Sequence, residues 1–181
     1  MKKIILSIFL TSAMFLVTAQ EATQQGNVLF EVGLTPLGTE TLMKGNSTGF
    51  ALMSVDGSTI FSIGAEAGFF VKDDFALKFG LGYTDLDGTN YFSYKLGIKQ
   101  YMNGAVPVQV DLTGATWEDF EGFGGSVDTP DPLWLGLQFG YAAFLSDDIS
   151  FEPTLRYNIS MNQDFSDQNI LELRFSFAIF L

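Results

Sequence analysis

The sequence feature that most constrains the fold is residues 58–85, STIFSIGAEAGFFVKDDFALKFGLGYTD. It contains two stretches in which apolar side chains alternate with small or polar ones, and a short polar turn joins them. Alternation with a period of two is typical of a β-strand. In the second stretch, the apolar face consists of Phe75, Leu77, Phe79, Leu81 and Tyr83. An apolar face opposite small and isolated charged residues predicts strands with lipid outside and a narrow, packed lumen inside.

Composition limits the chemistry that this chain can perform. With 181 residues, of which 47% are hydrophobic and 17% charged, the chain fits one folded domain. The absence of Cys excludes disulfides, a thiolate nucleophile and an acylated lipoprotein Cys, and the absence of His excludes Ser-His hydrolase sites and the usual zinc sites. Nine scattered basic residues against 21 acidic ones argue against binding to nucleic acid. We expect a protein that is not an enzyme and carries no cofactor.

Residues 1–19 have the pattern of a signal peptide, and residues 20–181 form the predicted barrel domain. Lys2 and Lys3 precede an apolar run over residues 4–17, and the small residues Val17 and Ala19 lie before a cleavage point ahead of Gln20. A membrane anchor is the alternative, but the run is short for a span. Later apolar runs are all interrupted, so a membrane could be crossed only by strands, which must close into a barrel to pair every backbone group.

The same alternation predicts eight strands in total. Besides the two in residues 58–85, they lie at residues 27–36, 91–101, 106–114, 133–144, 149–159 and 171–181. The tight connections VKDD, MNGA and LSDD alternate with mostly longer ones, which predicts a periplasmic and an exterior end and places both termini in the periplasm. Residues 50–55, before the turn pair Asp56-Gly57, are either a hairpin beyond the membrane or a ninth span. The predicted class is all-β, an eight-stranded antiparallel up-and-down transmembrane β-barrel.

Several phrases of the chain carry a family resemblance. The signal peptide, GAEAGFFVKDDFALKFGLGY, GYAAFLSDDISFEPTLRYN and the ending LRFSFAIFL together resemble the small outer-membrane β-barrel domain family of porin-like proteins, whose relatives include the OmpX, OmpW and OmpA transmembrane barrels. The resemblance covers nearly all of the mature chain, although the chain ends Phe180-Leu181 where many such barrels end in Phe. It implies location in the outer membrane of a Gram-negative-type envelope and insertion by the barrel assembly machinery.

Inward-facing charges are the first candidate functional residues. In the predicted register they are Glu31, Glu66, Lys78, Lys95, Lys99, Asp111, Glu152, Arg156, Glu172 and Arg174. An eight-stranded barrel is only wide enough inside for side chains, so five acids facing five bases predict an ion network that plugs the lumen. The alternative is a narrow porin-like conduit for ions or small solutes, or an OmpW-like conduit for small apolar molecules.

The surplus of acidic residues is predicted to lie at the barrel ends. Against the base Lys44, the connections assigned to the exterior carry Glu40, Asp56, Asp85, Asp87, Glu118, Asp119, Glu121, Asp128, Asp131, Asp164 and Asp167. These acids would repel anionic lipopolysaccharide unless divalent cations bridged the two or the loops stood clear of the headgroups. Asp85, Asp87 and Asn90 form half of a calcium-loop pattern, although a hairpin turn with solvated carboxylates is the favoured interpretation.

Aromatic residues of the long connection near residues 115–132 are the last candidates. Trp117, Phe120 and Phe123 could anchor a partner protein or ligand, or they could fold over the barrel mouth or join the aromatic girdle. A soluble sandwich or a lipocalin-like binder is disfavoured because the outer strand faces are apolar. The predicted function is that of a non-enzymatic outer-membrane barrel with a structural or surface-interaction role.

Overall fold

The computed structural model describes residues 21–34, 49–55, 58–117 and 131–181. The predicted signal peptide and the connections at 35–48, 56–57 and 118–130 lie outside this range. The strands of the described part are β1 (Val28–Leu34), β2 (Gly49–Val55), β3 (Ser58–Lys72), β4 (Phe75–Leu86), β5 (Thr89–Met102), β6 (Val106–Trp117), β7 (Leu133–Gly140), β8 (Ala143–Ser146), β9 (Ile149–Ser160) and β10 (Ile170–Phe180). Among these residues, no helix is long and apolar enough to cross a membrane.

The strands close into a barrel. From β3 to β7 each strand pairs antiparallel with the next, β7 pairs with β9, and β9 pairs with β10. The last strand returns to the first through a ladder that runs from Leu29↔Phe180 to Leu34↔Phe175. Closure leaves no sheet edge along this seam, as a membrane barrel requires. The predicted all-β, eight-stranded antiparallel barrel is thereby confirmed.

The wall of the barrel has eight strand positions, and β1 and β2 together occupy the first of them. β1 pairs with the half of β3 that lies nearer Lys72, ending at Glu31↔Glu66. β2 pairs with the half that lies nearer Ser58, as far as Val55↔Ser58. The two segments run parallel and touch through Gly33↔Gly49. Residues 50–55 therefore form a hairpin with the first half of β3 and continue the same position of the barrel wall that β1 begins. They are not a separate ninth span.

The wall position predicted as one strand over residues 133–144 is divided into β7 and β8. Both segments pair with β9, through Gly140↔Thr154 and Ala143↔Phe151 respectively. Pro153 of β9 lies between these two pairs and has no backbone N–H to donate. It only accepts a hydrogen bond, from the Tyr141 N–H at 3.1 Å, so the ladder is interrupted there.

Tight turns at one end of the barrel and the DLDGTN hairpin at the other fix the register. Asp87 and Gly88 have φ values of 56° and 97°, as a two-residue type I′ hairpin turn requires. Asp85 supports this turn because its carboxylate accepts a hydrogen bond from the Gly88 N–H at 3.0 Å. At the opposite end, Asp74 and Asn103 adopt positive φ in the short turns after β3 and β5. That end also holds the start of β1 and the end of β10.

The polarity of the barrel wall is inverted relative to a soluble protein, with apolar side chains outside and charged side chains inside. Leu81, Leu96 and Phe79 point outward and are 67%, 64% and 55% exposed. Lys78 and Lys95, on the opposite face of the same strands, are buried. Large apolar side chains are exposed on every wall position, which is stable only where hydrocarbon replaces water. The barrel is therefore membrane-spanning.

Replacing Phe79 with Asp should impair stable insertion. Phe79 lies at mid-strand between Ala67 and Leu96 on the lipid face, where a carboxylate costs on the order of 2 kcal/mol. The measurement is the folded fraction after refolding into lipid vesicles, read from heat-modifiable gel mobility. Thr116→Asp, which adds the same charge at an exposed position near the upper end of β6, is the matched control and should refold normally. Equal refolding of the two variants would show that the register is wrong.

Candidate functional site: the barrel lumen

Alternation along the strands places all ten predicted charges inside the barrel. Nine of them are buried, and the side chain of Glu172 is only 8% exposed. We call these ten residues the lumen network. The residues before and after each of these charges point outward to lipid. The alternation of side chains along the strand therefore places the charge inside.

The lower layer of the network lies near the end that carries the termini. Lys99 bridges two carboxylates, Glu31 at 2.7 Å and Glu152 at 2.6 Å. Glu31 also pairs with Lys78 at 2.5 Å. The Tyr101 hydroxyl donates to Glu152 at 2.8 Å. Lys99 and the two glutamates thus each have two partners, so the layer is a connected unit and not a set of separate pairs.

Glu66 forms the middle of the network. Its carboxylate pairs with Lys78 at 2.9 Å, with Lys95, and more loosely with Arg174 at 3.8 Å. The Gln109 amide donates to Glu66 at 3.5 Å and to Asp111 at 2.8 Å, linking the middle layer to the upper one. A continuous chain of polar contacts therefore runs through the described interior.

The upper layer is organised by Arg156 and Asp111. Two guanidinium nitrogens of Arg156 donate to the two oxygens of Asp111, each at 2.6 Å, in the bidentate geometry that gives strong, directional pairing. Arg156 also donates to Asn158 at 2.7 Å and lies 3.6 Å from Glu172. Thr113 completes the cage around Asp111 with a hydrogen bond of 2.8 Å.

Two glycines make room for this pair. A Cβ atom at Gly136 would clash with the Arg156 guanidinium, and a Cβ at Gly97 would clash with the Asp111 side chain and the neighbouring backbone. Gly97 of β5 is the cross-strand partner of Asp111 on β6. Gly136 of β7 is the partner of Asn158, two positions from Arg156 along β9, and the Arg156 guanidinium lies over it. The charges lie directly against bare backbone, so little free space is left around them.

Below the network, four aromatic rings pack against one another inside the barrel. Phe70, Tyr101, Phe144 and Phe180 form what we call the aromatic collar, with ring centroids 5.4 to 6.3 Å apart. All four are buried. The ammonium of Lys99 lies 5.1 Å from the Tyr101 ring centroid, so the collar contacts the network directly. Sequence reasoning missed the collar, although strict alternation puts Phe70 and Phe180 on the inward face.

The other predicted candidates do not assemble into a site. Trp117 is the last residue of β6 and not part of a loop, because β6 extends beyond the predicted end at residue 114, while Phe120 and Phe123 lie outside the described residues. Asp85 and Asn90 are a cross-strand pair of the β4–β5 hairpin with Asp87 in its turn. Within the part of the chain that the structure describes, no three His, Cys, Asp or Glu side chains are grouped to hold a metal ion.

Gly136→Ala should destabilise the barrel by about 3 kcal/mol, because the added methyl group displaces Arg156 and leaves Asp111 as a buried charge without its partner. The free energy of unfolding in urea, measured in lipid vesicles, tests this. The same substitution made together with Asp111→Ala and Arg156→Ala is the control, since the clash and the pair are then both removed. A loss of equal size in both backgrounds would contradict the explanation.

Comparison with known proteins agrees with this architecture. No protein-family model and no curated protein matches the chain. Among solved structures, the N-terminal β-barrel domain of Pseudomonas aeruginosa OprF is similar with a TM-score of 0.53 and 12% identity, covering 87% of this chain and 98% of that one. The Yersinia pestis outer membrane protein Ail, determined in a phospholipid bilayer nanodisc, matches with a TM-score of 0.49 and 12% identity over 87% of this chain and 100% of that one. The OprF likeness, with the apolar outer belt, shows that this chain has the fold of a small outer-membrane β-barrel.

Proposed function

We propose that the chain is a non-enzymatic outer-membrane barrel with a closed lumen and a structural or surface-interaction role. The observation that carries the proposal is the lumen network, in which five acids and five bases contact one another across the interior. A pore needs a continuous solvent path, whereas buried ions that satisfy one another occupy the space that water would need.

The chemistry of the chain supports a role other than catalysis. His and Cys are absent, and the buried carboxylates are engaged by Lys and Arg side chains. A carboxylate held by two cations is a poor general base because proton transfer would leave its partners unbalanced. Interaction with other molecules is therefore assigned to the barrel ends.

The partners that we propose follow from the same division. They are outer-membrane lipid, including lipopolysaccharide, the barrel assembly machinery during insertion, and a surface protein or ligand at the exterior connections. Among the described residues, Lys72 is the single base outside the lumen, while exposed acids at the two ends include Asp87, Asp164, Asp73 and Asp148. The described parts of the two ends therefore offer Lys72 alone as a positive charge for contact with lipid phosphates.

Purified, refolded protein should be silent in a planar bilayer, because the network and the collar both obstruct the lumen. Single-channel conductance is the measurement, with wild type compared against Arg156→Ala and folding verified by heat-modifiable mobility. Discrete conductance steps in the wild type that change with Arg156→Ala would mean that the lumen conducts and that its charges act as a filter. That result would overturn the proposal in favour of a narrow channel.

Folding into anionic vesicles should depend on divalent cations. Repulsion between acidic barrel ends and anionic headgroups is screened by salt and removed by bridging Mg²⁺. We expect the folded yield to fall as the anionic lipid fraction rises and to recover when Mg²⁺ is added, with no such effect in zwitterionic vesicles. The variant Asp164→Asn, Asp167→Asn should need less Mg²⁺. Yields independent of lipid charge would contradict this role of the acidic ends.

A further inference from the structure

Residues 21–27, which precede β1, fold back across the base of the barrel. We call them the basal strap. Ala22 and Thr23 are 4% and 1% exposed, although they precede the first strand. Ala22 belongs to the same buried apolar cluster as Phe70, Tyr101 and Phe180 of the aromatic collar. The strap thus lies against the collar on the side away from the lumen network, at the end where the lumen would otherwise meet water.

Hydrogen bonds to the β3–β4 turn hold the strap in place. The Thr23 hydroxyl donates to the Asp74 carboxylate at 2.5 Å, and the Asp74 N–H donates back to the Thr23 carbonyl at 2.8 Å. The Gln25 N–H donates to Asp73 at 2.8 Å. Because Asp74 sits in a turn with a φ of 64°, its position is fixed by the hairpin and it offers a rigid anchor.

Hydrogen bonds at the C-terminal end of the strap also hold it in place. The Asn27 side-chain amide donates to the carbonyls of Glu21 and Ala22 at 3.0 and 3.1 Å, which holds the segment in a compact turn. The Gly26 N–H donates to the Phe70 carbonyl at 2.9 Å, attaching the strap to the last residues of β3. The Gly26–Phe70 bond continues the β1–β3 ladder, whereas the contacts of residues 21–25 lie beyond that ladder, so these residues can open while the ladder stays paired.

We propose that the basal strap is a releasable cap that seals the periplasmic mouth of the lumen, latched by the Thr23–Asp74 pair. The inference rests on the proposed closed lumen and adds the device that keeps its base dry. Opening would cost the reciprocal hydrogen bonds and would expose the apolar collar to water. The cap is distinct from the lumen network, which can remain paired whether the strap is docked or free.

Thiol labelling tests the docking of the strap, since the chain has no Cys of its own. In refolded protein in detergent micelles, Ala22→Cys should react with a water-soluble maleimide at least about tenfold more slowly than Gln24→Cys, which lies on the same segment but is exposed. Thr23→Val, which keeps the side-chain shape and removes the donor, should raise the Ala22→Cys rate towards that of Gln24→Cys. Equal rates for the two cysteines, or no effect of Thr23→Val, would overturn the latch.

A second reporter tests whether the strap is the seal. Ser150 is buried on β9 near the base, where its hydroxyl donates to Glu152 at 3.0 Å, and Ser150→Cys is a small change that keeps a weak S–H donor at this position. Its labelling should be slow in the wild-type background and faster with Ala22→Glu, which forces a charge out of the apolar cluster. Gln24→Glu adds the same charge at an exposed position and should leave the rate unchanged. Continued protection of Ser150→Cys with Ala22→Glu would overturn the seal, and because labelling does not require conductance, this outcome is separate from failure of the closed lumen.

Discussion

A charge inside an eight-stranded barrel is tolerated only when a partner of opposite sign reaches it. Removing one ion from water costs several kcal/mol, and the described residues place ten ions in the lumen. The network meets this constraint by sharing: Lys99 serves Glu31 and Glu152, and Glu66 serves Lys78 and Lys95. Shared partners make the lumen a single electrostatic unit, so the position of each strand depends on side chains carried by several others.

This constraint explains why the wall has the residues it has. The strands must present long charged side chains and bare backbone at matching heights, which is why Asp111 lies against Gly97 and Arg156 against Gly136. On the opposite face the same strands must satisfy hydrocarbon, so Val110 and Leu112 flank Asp111. Closure between β1 and β10 then supplies the backbone pairing that lipid cannot. The arrangement of the strands therefore meets three requirements: paired charges inside, apolar contact with lipid outside, and backbone pairing at the closing seam.

Facing direction was predictable from the sequence, whereas the choice of partners was not. Period-two alternation alone assigns all ten charges to the interior, because the direction of a side chain follows from its own strand. The pairing of Lys99 with Glu152 joins residues 53 positions apart across the lumen, so it depends on the diameter and register of the closed barrel. The collar was missed because a polar interior was expected, whereas Phe70 and Phe180 are apolar. The interruption at residues 141–142 depends on Pro153, which lies on a different strand.

The ion network and the aromatic collar inside the barrel differ in their physical origin, and both differ from the charged ends of the barrel. Buried ion pairs are screened little by added salt, and a packed aromatic collar depends on exclusion of water and not on charge. The closed lumen that we propose should therefore persist over the range of ionic strength that an envelope meets. The acidic turns and hairpins, by contrast, are exposed to solvent, and their interaction with any charged surface varies steeply with salt and divalent cations. This contrast supports the role that we propose, in which the interior stays closed and the ends of the barrel interact with the surroundings.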